Sequence, residues 1–142
     1  MTSLAFDRIG SCFVLVQGER DATDEEWSRW VDFVVRGGND LQRDIRVLVI
    51  SAGGSPTPKQ RARIHEVMPR MGGGIPTAIV TSSRIGRAVV STMALFNSEV
   101  RAFAPSELDR AVAYLGVPEA SRPALRASVV RLHATLGLPA PG

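Results

Sequence analysis

Val47-Leu-Val-Ile-Ser-Ala-Gly-Gly-Ser-Pro-Thr-Pro-Lys-Gln-Arg61 is the stretch on which the fold turns. Its apolar start has the pattern of a strand covered on both faces. Gly53 and Gly54 then turn the chain, and Pro58 suits the first position of a helix. A buried strand that runs through a tight turn into a helix points to parallel strands joined by helical crossovers. Ser55 and Thr57 fall where the free backbone N–H groups of that helix gather. Their hydroxyls are therefore either caps or part of a site for an anion.

Upstream, Leu4-Ala-Phe-Asp7 and Cys12-Phe-Val-Leu-Val-Gln17 are strand-like runs joined by Arg8-Ile-Gly-Ser11. The short glycine-containing connection predicts a hairpin, so the first two strands are antiparallel. After a loop over 18–22, Thr23-Asp-Glu-Glu26 fits a capping box, with Thr at the N-cap and Glu three residues on. Trp27, Trp30, Val31, Val34 and Val35 then form one apolar helical stripe. The two tryptophans are read as packing on a sheet rather than as a cofactor box. Gly37 and Gly38 are expected to end this helix.

Downstream, a helix is expected from Pro58 to about Met71, with Ile64, Met68 and Met71 inward. Gly72-Gly-Gly74 follow a helix and precede a strand, the reverse of the order in a nucleotide-binding loop, and so read as a helix stop. Thr77-Ala-Ile-Val-Thr81 is the next strand. Ser82 and Ser83 cap a helix to about Phe96, with Ile85, Val89, Met93 and Phe96 on one side. Val90, Ala94 and Leu95 make its other sides apolar too, which marks it as deeply buried or as a partner surface. Asn97 and Ser98 turn the chain into the last strand, Val100-Arg-Ala-Phe-Ala104. Pro105 and Ser106 open a helix that turns Leu108, Val112 and Leu115 inward and closes at Gly116. A final helical segment, Glu119 to Leu136, carries a narrow seam of Leu125, Val129, Leu132 and Leu136, with Arg122, Arg126, Arg131 and His133 on its other faces. Such a seam docks on its own domain or pairs with a second copy. The expected fold is α/β: a mixed sheet of about five strands, the first antiparallel and the remainder parallel, covered by helices. It divides into an α/β domain over 1–118, a C-terminal amphipathic helix over 119–137 and a flexible tail over 138–142.

The chain has 142 residues, 44% of them hydrophobic, enough for one ordinary domain with a real core. No apolar run approaches the roughly 20 residues of a membrane span. The first residues lack a charged segment followed by an apolar one, so no signal peptide is expected, and the expected compartment is the cytoplasm. One cysteine, Cys12, and two distant histidines, His65 and His133, make neither a disulfide framework nor a zinc site. The net charge of +3 is uneven: residues 1–57 carry a net −3, residues 58–101 a net +5 and residues 102–142 a net +1. The basic middle suits a phosphate, an acidic partner or a solvated helix face. No aromatic residues interleave with it, so nucleic-acid binding is not expected.

The element order and several strings resemble the STAS-like domains, relatives of bacterial anti-sigma-factor antagonists, and most of all their divergent, stand-alone branch. The strings are Val14-Leu-Val-Gln-Gly18 with Thr23-Asp-Glu-Glu-Trp27, and Val47-Leu-Val-Ile50. Thr77-Ala-Ile-Val-Thr-Ser82 with Arg87 comes next, then Val100-Arg-Ala-Phe-Ala-Pro105 with Ala111-Val-Ala-Tyr-Leu115, so that residues 3–117 are covered. The resemblance implies a signalling domain whose serine, at the loop after the third strand, is phosphorylated by a partner kinase. Ser55 falls nearest that position, in Ala52-Gly-Gly-Ser-Pro-Thr57, and Thr57 is next. The family's Asp-Ser-Ser/Thr-Gly run is replaced here by a sequence with two prolines and no aspartate.

Two function classes are consistent with these observations. The first is a non-enzymatic regulatory, protein-interaction domain, phospho-regulated over 52–57, with Ser55 and Thr57 as modification or contact residues and a kinase-like or other signalling protein as partner. Gly53, Gly54, Lys59 and Arg61 join them as anion-binding or interface candidates. So do Ser82, Ser83, Arg84 and Arg87, because loops at the carboxyl ends of parallel strands share one sheet edge. The second class is a domain that lodges a small apolar ligand or lipid between the sheet and the helix over 83–96. Catalysis is not expected: Ser55 has no histidine in its own segment, and His65 lies well along the following helix, away from a nucleophile at its start. No cofactor or metal is expected. The seam at Leu125, Val129, Leu132 and Leu136 is a candidate homodimer surface.

Overall fold

Strand alternation sorts the side chains of a sheet into two sets, and both sets are apolar here. The computed structural model describes residues 2–41, 44–67, 74–93 and 99–141, without the side chains of 39–41, 89, 92 and 93. The strands are β1 (Leu4–Ile9), β2 (Cys12–Gln17), β3 (Arg46–Ser51), β4 (Thr77–Thr81) and β5 (Val100–Phe103). The helices are α1 (Asp24–Leu41), α2 (Pro58–Val67), α3 (Arg84–Met93), α4 (Leu108–Tyr114) and α5 (Arg122–Thr135). One sheet runs in the order β1-β2-β3-β4-β5. β1 is antiparallel to β2, and the remaining neighbours are parallel, as the sequence leads one to expect.

Crossovers between parallel strands share one hand. A chain that adds β3, β4 and β5 always on the same side must therefore lay α1, α2 and α3 on the same face. Phe13, Leu15 and Val47 meet Trp27, Trp30, Val31 and Val34 of α1 and Ile64 of α2 on that face. The opposite face presents Val14, Val16, Leu48, Ile50, Ala78 and Val80. It is covered by Ala111, Val112 and Leu115 of α4 and by Leu125, Val129 and Leu132 of α5. The tryptophan stripe thus packs on the sheet. Each fully buried large apolar side chain in it contributes about 1.5–3 kcal/mol of transfer free energy.

Several expectations change. Gly37 and Gly38 do not stop α1, which continues to Leu41. A Cβ on Gly37 would lie 2.5 Å from the Phe13 ring, so the glycine is there to let helix and sheet approach. The seam of α5 is consumed within the chain: Leu125 is 0% exposed and Val129 2%, against the sheet, which leaves them unreachable for a second copy. His133, read from the sequence as lying off the seam with the arginines, is buried and meets the Val129 carbonyl through Nδ1 at 2.7 Å. Leu138, assigned to the tail, donates its N–H to the His133 carbonyl at 2.9 Å and packs on the same core. α3 exposes Ile85 (80% exposed) while burying Val90. The expected continuations of α2 through Met68 to Met71 and of α3 through Ala94 to Phe96 lie outside the described residues, as do the Gly72–Gly73 stop and the turn at Asn97 and Ser98.

The capping box at the start of α1 forms. Glu26 N–H donates to Thr23 Oγ1 at 3.2 Å, and Thr23 N–H donates to Glu26 Oε1 at 3.1 Å. The second carboxylate oxygen accepts from Ser3 N–H at 2.6 Å, which ties the start of β1 to α1. Burial alone would raise the Glu26 pKa. The donors on Ser3 and Thr23 outweigh it and hold the carboxyl below its ordinary value. A depressed folded pKa gives stability that is complete above the ordinary glutamate value of about 4.3 and is lost as pH falls through the lower folded value. Glu26→Gln should therefore lower stability by about 1–3 kcal/mol at pH 7. Urea denaturation at pH 7 and pH 3 checks this, with the gap between wild type and variant closing at the acid end.

Candidate ligand cavity

The carboxyl edge of the sheet is built around one glutamine. Thr57 is the N-cap of α2: Gln60 N–H donates to Thr57 Oγ1 and Thr57 N–H donates to Gln60 Oε1, both at 3.1 Å. This is a capping box with Gln in the third position. Gln60 Nε2 donates to the Ala22 carbonyl and to Asp24 Oδ1, both at 3.0 Å, and the Gln60 carbonyl accepts from Trp27 Nε1 at 2.8 Å. The start of α2 is thereby fastened to the start of α1.

The preceding loop is held by backbone. Ala52 N–H donates to the Gln17 carbonyl at 2.9 Å, and Gly54 N–H donates to the Gly18 carbonyl at 2.8 Å. A Cβ at Gly54 would stand 2.4 Å from the Arg20 carbonyl oxygen, so only glycine fits. Ser51 Oγ donates to the Gly54 carbonyl at 2.6 Å and accepts from Gly53 N–H at 3.0 Å. Ser55 N–H donates to Asp21 Oδ1 at 2.9 Å. The two hydroxyls of the loop therefore differ. Thr57 is committed as a cap, whereas Ser55 is exposed and its hydroxyl has no partner among the described residues. At the second loop, Ser83 Oγ accepts from Gly86 N–H at 2.9 Å and caps α3, and Arg87 donates to the Thr81 carbonyl at 2.7 Å.

Between these loops and the sheet lies a cavity of about 620 Å³. Strand register sets its floor in three rows. Val47, Thr77 and Val100 form the first, Leu15, Val49 and Ile79 the second, and Gln17, Ser51 and Thr81 the third, at the carboxyl edge. Trp27, Trp30 and Ile64 form one side, and Ile85, Gly86 and Val90 of α3 the other. Gly53, Gly54, Ser55, Arg61, His65 and Ser83 also line it. Gln17 is 3% exposed, and its Nε2 has no hydrogen-bond partner among the described residues.

Of the candidates from sequence, Gly53, Gly54, Ser55, Arg61 and Ser83 are brought together around this cavity, and Thr57, Lys59, Ser82, Arg84 and Arg87 are outside its lining. Sequence reasoning missed Gln17, Ser51 and Thr81. Their signal was a polar residue ending each of three apolar parallel strands. Comparison with protein-family models, curated proteins and solved structures found no match to this chain.

The hydrogen-bond pattern ranks three substitutions. Gln60→Ala strips three side-chain bonds from a buried junction and should cost about 2–3 kcal/mol. Thr57→Ala removes a cap, at about 1 kcal/mol. Ser55→Ala should stay within about 0.5 kcal/mol of wild type. Chemical denaturation of the three variants gives the order directly.

Proposed function

We propose that this chain is a non-enzymatic binding domain that holds a small, mainly apolar ligand between the sheet and α1, α2 and α3. The cavity carries the reading. Its volume of about 620 Å³ lies within the range of about 300–1,000 Å³ usual for small-molecule sites. Its walls combine an apolar floor with few polar groups, the composition that binds by burial and orients by a small number of hydrogen bonds. Ile85, the large apolar side chain exposed at its rim, supports the same reading, because an apolar ligand entering there meets apolar surface. Both tryptophans of the chain line the cavity, so intrinsic fluorescence reports its occupancy. Wild-type protein should enhance the emission of the neutral dye Nile red and carry an extra mass in native mass spectrometry. Val49→Phe with Ile79→Phe should fill the floor and abolish both signals without lowering the melting temperature. Wild-type protein that shows neither signal would sink the reading.

A second reading keeps the STAS-like resemblance and makes the chain a signalling domain whose loop over 52–57 meets a protein partner. One observation favours it: the Ser55 hydroxyl is exposed and uncommitted, while the neighbouring Thr57 hydroxyl is engaged in a cap. A phosphate on Ser55 would stand near the start of α2, whose dipole and Lys59 and Arg61 favour its charge. In a pull-down from the native host, Ser55→Ala should abolish capture of the partner and Lys59→Ala should leave the fold unchanged. Equal capture by wild type and Ser55→Ala would end this reading.

A further inference from the structure

The cavity is open over only part of its floor. Leu15, Val47, Thr77 and Val100 are buried, and so are Gln17 and Thr81 at the carboxyl edge. Val49, Ile79 and Ser51 keep accessible surface, so the open floor lies over β3 and β4 alone. Neighbouring strands stand about 4.8 Å apart, and successive residues on one face of a strand about 7 Å apart. The open floor is therefore roughly the size of one aromatic ring, and an extended chain laid along it finds both ends closed. Away from the sheet the space continues as a slot. Arg61 and His65 of α2 stand on one side of it, Ile85 and Gly86 of α3 on the other. Gly86 brings no side chain into the slot, and Ile85 offers it an exposed apolar wall.

The mouth of the slot is basic. Arg61 and His65 lie one helical turn apart on α2, so both side chains leave the same side of the helix. Both are exposed and both line the cavity. Arg61 makes one long contact, 3.4 Å to the Pro56 carbonyl, and neither residue has an ion pair among the described residues. No aspartate or glutamate lines the cavity among the described residues. A guanidinium matches a carboxylate through two parallel hydrogen bonds, and its planar face also stacks on aromatic rings. A cationic ligand would meet Arg61 here with no carboxylate to offset it.

We infer that the slot between α2 and α3 takes a compact aromatic carboxylate. One edge of its ring system rests on Val49 and Ile79, one face lies against Ile85, and the carboxylate stays at the mouth, where Arg61 and His65 donate to it. This rests on the proposed ligand-binding function and adds the chemical class of the ligand. Shape and charge are read by different elements. The sheet and α3 supply the apolar contacts, and α2 supplies the donors. Both donors are on the surface, so removing either one alters recognition of the acid without opening the core.

The test titrates three probes by calorimetry: 2-naphthoate, the uncharged 2-naphthamide of the same shape, and decanoate, which keeps the charge on an extended chain. Wild type should bind 2-naphthoate at least about fivefold more tightly than 2-naphthamide, the worth of one partly screened ion pair, and decanoate more weakly than 2-naphthoate. Arg61→Ala and His65→Ala should each shrink the ratio of naphthoate to naphthamide affinity while leaving naphthamide binding unchanged. Melting curves certify that both variants fold. If 2-naphthamide binds as well as 2-naphthoate, or neither variant changes the ratio, the carboxylate is overturned. If decanoate binds more tightly than 2-naphthoate, the ring is overturned, and if Nile red binds but no probe does, both are. In each of these cases the ligand-binding reading stands. If neither the probes nor Nile red bind, the ligand-binding reading fails and takes this inference with it.

Discussion

The shared hand of β-α-β crossovers governs this molecule more than any single contact. Four parallel strands added in sequence order leave no choice of face for the helices between them. α1, α2 and α3 must lie together, and the other face of the sheet is left for the helices after β5. α4 and α5 supply that cover. The C-terminal helix is therefore a part of the core. Its seam of Leu125, Val129 and Leu132 is spent on the sheet of its own chain and is not held for a partner.

Crowding three helices on one face also explains the cavity. α1 is long and brings both tryptophans, and it fills the floor over β1 and β2. Among the described residues of α2, only Ile64 and Gln60 are buried. One of these is a polar fastener, so among the described residues of α2 Ile64 is the fully buried apolar anchor, with Val67 partly buried against the same core. The centre of the sheet beneath it, at Val49 and Ile79, stays only partly buried. A closely packed interior excludes space of this size unless something specific props it open. Here the props are the glycine loop, pinned by Gly54 against the Arg20 carbonyl, and Gln60, which holds α2 by its first turn to α1.

Legibility in the sequence tracked the range of the interaction. Thr23 with Glu26, the stripe from Trp27 to Val34 and the hairpin before Cys12 were all readable, because each depends on residues within one or two turns. The continuation of α1 through Gly37 was not, because its cause is the ring of Phe13, far off in sequence. The loop hydroxyls were readable as a pair but not as individuals: only the geometry of Gln60 shows that Thr57 caps and Ser55 does not. The row of Gln17, Ser51 and Thr81 showed in the sequence only as a polar residue ending each strand, since register alone sets those residues side by side.

By itself, then, the sequence determined which segments are strands and which are helices, that the sheet is mixed, and that one edge of it would gather glycines, hydroxyls and arginines. Those are consequences of period, capping and crossover hand, all local or nearly so. Only the tertiary structure decided that the apolar floor is left partly uncovered, that Gln17 is buried without a partner among the described residues, and that Arg61 rather than Arg87 reaches the cavity. The physical reason is that a cavity belongs to no segment. It is the space left between elements that are forced onto the same face.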